Sequence, residues 1–115
     1  WREAHRVLRP AGVLLAGFLN PDLFIFDLDA EEAGRLEVRH ALPYADETHL
    51  TPAQLAERRQ RLQPLEFSHT LADQIGGQLD AGFVLTALYE DRHRDSLIAR
   101  HMPTYFATRA VKPPA

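Results

Sequence analysis

The run VLLAGFL, Val13 to Leu19, contains no charged or polar side chain, and it is bounded by Gly12 on one side and by Asn20 and Pro21 on the other. A stretch this short with such bounds reads as a β-strand rather than a buried helix. Its near-continuous apolarity is the pattern of a strand covered on both faces and hydrogen-bonded on both edges. Such a segment dictates most of what surrounds it, because a chain that contains it must also bring sheet neighbours and covering helices.

The neighbours are found at the far end of the chain. The stretch HTLADQIGGQLDAGFVLTALYED, His69 to Asp91, begins as a helix capped by Ser68 or Thr70, with Leu71, Ile75 and Leu79 at successive i, i+4 positions as an apolar stripe. Gly82 ends it as a C-terminal cap, and FVLTALYE, Phe83 to Glu90, follows at once as a second apolar strand. TYFATRAVK, Thr104 to Lys112, is a third strand, with Pro103 at its entry and Pro113 and Pro114 at its exit. Two apolar strands joined through a helix are expected to lie parallel through a right-handed crossover. The short connection from Asp91 to Pro103 lets the third strand return antiparallel beside the second, slotting between it and the first. With one partner available, the other edge of Val13–Leu19 is left open, and calls for a further strand or a second copy of the chain.

Gly76 and Gly77 interrupt the helix at a cost of about 1 kcal/mol each relative to alanine. Removing Cβ there lets a backbone approach closely, either the sheet or a ligand. At the other end of the chain, WREAHRVLR has helical periodicity from its first residue, with Ala4, Val7 and Leu8 on one face. Pro10 must end that helix, and Ala11 and Gly12 make the turn into the strand. A domain that opens inside a helix is expected to be a cut one.

Between Pro21 and Glu66 the pattern is irregular. Leu23 to Phe26 reads as a short edge strand, and Leu36, Val38 and His40 alternate. The clearer signal is LTPAQLAERRQRL: Thr51 is an N-cap, Pro52 opens the helix, Gln54 completes a capping box, and Leu50 is placed to staple onto Leu55. That helix should run from Pro52 to about Leu62. Its Arg58, Arg59 and Arg61 are read as a solvated face rather than a phosphate site, because Glu57 and Glu66 lie close and no aromatic residues are interleaved. A last short helix, capped by Asp95, is expected before Pro103.

Composition narrows the partners. The 115 residues suit one domain, and 13 basic against 16 acidic residues give a net charge of −3, without the basic field that recruits nucleic acid or an anionic membrane. The absence of cysteine excludes disulfides and thiolate chemistry and fits a cytoplasmic protein. His5, His40, His49, His69, His93 and His101 lack the short spacing of a metal site, so no metal is expected, and Ser68 and Ser96 lack a nucleophile elbow.

Two motifs carry a family resemblance. EAHRVLRPAGVLLAGFLNP, Glu3 to Pro21, resembles the helix and fifth strand of class I S-adenosylmethionine-dependent methyltransferases, where a helix ending in "RvLrPGG" feeds a strand; Ala11 stands where that pattern has glycine. FSHTLADQIGGQLDAGFVLTALYED with MPTYFATRAVK resembles the last helix and the sixth and seventh strands of the same fold, in a small-molecule subgroup carrying "HTLxxQIGGQLxAGF". The resemblance covers about half of the 115 residues. It implies an α/β fold, the C-terminal half of a Rossmann-like sheet with two parallel strands, one antiparallel strand and flanking helices. Residues 1–115 would form one partial methyltransferase domain, with 22–66 inserted as a substrate cap. It also implies S-adenosylmethionine as the cofactor of the intact enzyme and a small molecule as its substrate. The family's glycine-rich loop has no counterpart here, so no cofactor is expected on the chain alone. Its completion would come from a missing N-terminal half or from a homodimer.

In open α/β sheets ligands sit beyond the carboxyl ends of the parallel strands. That rule selects Phe18 and Asn20 after the first strand, Phe67, His69, Thr70 and Gln74 near the start of the following helix, and Tyr89 at the end of the second strand. Met102, Thr104 and Tyr105 join them from the start of the reversed third strand. Methyl transfer is accelerated chiefly by holding donor and acceptor in line, and a base helps only where the acceptor loses a proton. His69 is the candidate for that role, against the plainer reading of a capping or surface histidine; Tyr89 and Tyr105 could orient an acceptor or simply belong to the core.

Overall fold

A computed structural model describes residues 1–114. In chain order its elements are α1 (Arg2–Val7), β1 (Val13–Leu19), α2 (Leu28–Glu32), α3 (Asp46–His49), α4 (Pro52–Gln60), α5 (Gly77–Asp80), β2 (Val84–Asp91) and β3 (Tyr105–Val111). Single 3-10 turns occupy Pro21–Ile25 and Ile98–Arg100, and a π-helical turn, Ala72–Gly76, runs directly into α5. The chain forms two compact units, one of Trp1–Asn20 with the residues from Leu71 onward, the other of Pro21–Thr70. No helix among the described residues is long and apolar enough to cross a membrane.

The first unit is built on a three-stranded sheet of order β1-β3-β2, and both pairings are antiparallel. This overturns the expected Rossmann-like sheet of parallel strands. β3 takes the place between the two apolar strands and shares a hydrogen-bonded ladder with each, so β1 and β2 do not meet and no parallel pair forms. The strand bounds themselves fall within a residue or so of those expected, because proline and glycine punctuate them.

The strand β1 is also not covered on both faces. Its burial alternates, and Val13, Leu15 and Leu19 lie exposed, Leu15 by 73%. Pairing register assigns the faces. Val13, Leu15, Gly17 and Leu19 share one with Val111, Arg109, Ala107 and Tyr105 of β3, and with Val84, Ala87, Tyr89 and Asp91 of β2, where a bulge at Thr86 keeps the phase. This is the open face. The opposite face carries Phe18 against Phe106, Ala110, which is fully buried, and Thr108, which meets the helix.

That helical contact is polar. Gln78 of α5 and Thr108 of β3 are both buried; the Thr108 hydroxyl donates to Gln78 Oε1 at 2.9 Å, while Gln78 Nε2 donates to the Gln74 carbonyl at 2.8 Å. Buried amides persist only when bonded in this way. The glycine pair behaves unequally. At Gly77 a Cβ would lie 2.5 Å from Trp1 Cδ1, so glycine makes room for the Trp1 indole, whose Nε1 donates to the Asp73 carbonyl at 2.9 Å. Gly76 has nothing near it, so the close approach is made by the residue that leads into α1 and not by the sheet.

The turn from α1 into β1 is stitched to the end of β3. Lys112 Nζ donates to the carbonyls of His5 and Leu8, both at 2.8 Å, which satisfies the C-terminal end of α1. Ala11 N–H donates to Lys112 O and Lys112 N–H to Gly12 O, each at 2.9 Å. Ala11 adopts φ 62°, the left-handed region.

The second unit holds the expected capped helix. Thr51 and Gln54 form the reciprocal box on α4, which ends at Gln60. The expected edge strand Leu23–Phe26 is instead a 3-10 turn that Pro21 opens, and only Phe26 makes a strand bridge, to Val38. Ser68 does not cap the later helix. Its hydroxyl accepts from Tyr44 N–H at 2.7 Å, next to an antiparallel bridge between Ala45 and Phe67. Asp95 likewise does not cap the last turn, for it is Ser96 Oγ that accepts from Ala99 N–H.

The centre of this unit is a buried carboxylate. Asp46 is fully buried and accepts from the Tyr44 hydroxyl at 2.6 Å and from Glu66 N–H at 2.8 Å, with Arg58 Nε 3.5 Å away. Arg58 is thus turned inward, which corrects the solvated reading of that residue; Arg61 pairs with Glu57 on the surface. Burial and the Asp46 carboxylate push the Tyr44 phenol up, keeping it a donor. Around Tyr44 lie Phe24, stacked at 5.3 Å, His40 at 5.1 Å and His49 at 5.0 Å.

Candidate ligand-binding rim

The carboxyl ends of β1 and β2 and the start of β3 meet at one end of the sheet, and there the surface sinks into a hollow of about 460 Å³. Two ladder rows on the open face build it. The first is Gly17, Ala107 and Tyr89, and the second is Leu19, Tyr105 and Asp91. Gly17 and Ala107 carry almost no side chain and form a floor, while Leu19, Tyr105, Tyr89 and Asp91 stand around it. A Cβ at Gly17 would touch only Phe106 O, at 4.0 Å, so the glycine is demanded neither by crowding nor by backbone conformation. Phe18, Phe106 and Glu90 form the ladder row between these two and border the hollow, while the register turns their side chains to the opposite face, where the two phenylalanine rings meet edge-on with centroids 5.9 Å apart. The volume lies within the 300–1,000 Å³ typical of small-ligand sites.

Of the residues selected from the sequence, Phe18, Tyr89 and Tyr105 come together here. Asn20 is buried at the end of β1, its amide donating to Pro103 O at 2.9 Å and its backbone N–H to Thr104 O at 2.8 Å, so its side chain ties β1 to the entry of β3. Thr104 is buried, its hydroxyl accepting from His93 N–H at 2.7 Å. Met102 is half-buried in the same unit, as is Gln74, whose carbonyl serves Gln78. Phe67, half exposed, and the exposed His69 and Thr70 belong to the Pro21–Thr70 unit. Sequence reasoning passed over Gly17, Asp91 and Ala107. A glycine inside an otherwise apolar strand was the available signal, since it weakens the strand and marks a place of close approach.

The glycine pair lies inside a helical segment with the Trp1 indole over Gly77, not in a loop after a strand, and β1 leads through Asn20 into a proline-opened 3-10 turn.

No family model matches the chain. It is 45% identical, over 112 residues and 97% of its length, to the protein named "Uncharacterized methyltransferase YbaJ" from Bacillus subtilis (strain 168). The chain spans 44% of the length of that relative. This similarity supports a methyltransferase relationship.

Proposed function

We propose that the chain is the acceptor-side part of an S-adenosylmethionine-dependent methyltransferase acting on a small molecule, inactive without further polypeptide that binds the donor. The similarity to the Bacillus subtilis methyltransferase over nearly the whole chain carries this reading. The motif resemblance and the hollow at the sheet end are in keeping with it, and the Pro21–Thr70 unit is placed in sequence where a substrate cap would be inserted. The experiment is a chimera in which this chain replaces its counterpart in the relative. Calorimetric titration should show S-adenosylmethionine binding to the relative and to the chimera, both should transfer labelled methyl groups to small molecules, and the chain alone should do neither. Donor binding by the chain alone, or a chimera that folds and binds donor yet never transfers, would refute the proposal.

A second reading is favoured by the bare edge of β1, which carries no lysine, proline or bulge to discourage pairing, whereas β2 ends in Glu90–Asp91 and contains a bulge. In this reading the chain is an interaction module in which two copies pair through Val13–Leu19. Light scattering after size exclusion should then give a dimer that Leu15→Lys dissociates; a monomer at all concentrations sinks it.

A further inference from the structure

The geometry points to a ligand class for the hollow at the sheet end: a small organic cation, an aromatic or alkyl body carrying a protonated amine. On the open face the lining supplies the rings of Tyr89 and Tyr105 together with the carboxylate of Asp91. The lining contains no lysine, arginine or histidine, so an anion would meet the Asp91 carboxylate and no positive charge. The register puts the complementary groups on one side of the sheet, where Asp91 pairs directly with Tyr105 and Tyr89 stands one ladder row back. A cation among them is attracted by the ring faces and the carboxylate together. Its apolar body has a floor to rest on, because Gly17 and Ala107 leave the backbone nearly bare between the two tyrosines. Asp91 is fixed in place by two hydrogen bonds, its Oδ1 accepting from Arg92 N–H at 2.7 Å and its carbonyl from Thr104 N–H at 2.9 Å. The proposal is one of binding; that the ligand is also the methyl acceptor rests on the methyltransferase reading above.

The test is an amide-resolved NMR titration of the 115-residue chain with three isosteric probes: phenethylammonium, 2-phenylethanol and phenylacetate. Phenethylammonium should shift the amides of residues 17–19, 89–91 and 105–107, with an affinity at least about fivefold above that of phenylacetate. Asp91→Asn should erase that preference. Gly17→Val should abolish binding by filling the floor, with the remaining spectrum unchanged, since valine suits a strand and its Cβ would meet nothing nearer than Phe106 O, at 4.0 Å. Should that variant unfold, Tyr89→Leu, at a side chain 56% exposed, tests the same wall by weakening the ammonium probe. Equal or tighter binding of phenylacetate, shifts confined to other residues, or no localised shift with any probe overturns the assignment. A chimera without methyl transfer leaves this result standing, and a failed titration leaves the methyltransferase reading standing, so the two are judged separately.

Discussion

Ala11 stands in a conformation that suits another residue. At φ 62° an L-residue with a Cβ is strained by roughly 1–2 kcal/mol, and glycine is not. Ala11→Gly should therefore stabilise the chain by up to about 1 kcal/mol, after allowing for the greater freedom glycine gains when unfolded, as read from the urea midpoint. A lower midpoint would show that the turn tolerates alanine without strain. Gly12 cannot be exchanged in the same way, since its Cβ would lie 2.7 Å from the Arg9 carbonyl. At this scale the sequence was readable wherever a residue's own chemistry decides the outcome: Thr51 and Gln54 cap α4, and Gly82, at φ 102°, ends α5. It was unreadable where the partner comes from far along the chain. Nothing near Gly77 announces that Trp1 lies against it, and nothing near Arg58 announces Asp46.

Among the elements, the contact between α5 and β3 turns on one buried hydrogen bond. Thr108→Val keeps the shape and leaves Gln78 Oε1 buried without its donor, which should cost about 1–3 kcal/mol in chemical denaturation. Pairing it with Gln78→Leu should recover much of the loss, because neither side then buries an unsatisfied group. Additive losses would mean that packing, not the hydrogen bond, holds the contact. The Pro21–Thr70 unit answers to pH instead. Burial lowers the His40 pKa below its usual 6.5, helped by the positive charges of His49 and Arg39 and opposed by Asp27. The folded state thus favours neutral His40, whereas the unfolded chain takes up the proton near pH 6.5; stability should fall as pH drops below about 6.5 and level off beneath the folded value. His40→Gln should flatten that part of a melting-temperature profile, and an unchanged profile would remove His40 from the account. The helix-to-strand rhythm made these elements legible in advance, and the short return from Asp91 to Pro103 made legible the place of β3 between β1 and β2. Hydrophobic runs identify strands without fixing the sense of their ladders, and because both ladders of β3 are antiparallel the expected sheet of parallel strands does not form.

For the molecule as a whole, a sheet packed on one side follows from the same sequence that suggested burial on two. The seven apolar residues of β1 have a helical layer on one face only, so Val13, Leu15 and Leu19 remain in contact with water, as do Val84 and Tyr89 of β2. Water-exposed hydrocarbon in the native state does not contribute to the heat-capacity increment of unfolding, which ordinarily amounts to about 12–15 cal/mol/K per residue. Scanning calorimetry of this chain should return an increment below that range, and a full normal value would mean that the face is shielded in solution. The open side of the sheet thus acquires a thermal signature: stability that varies less steeply with temperature, and a flatter dome, than a chain of this length would otherwise show.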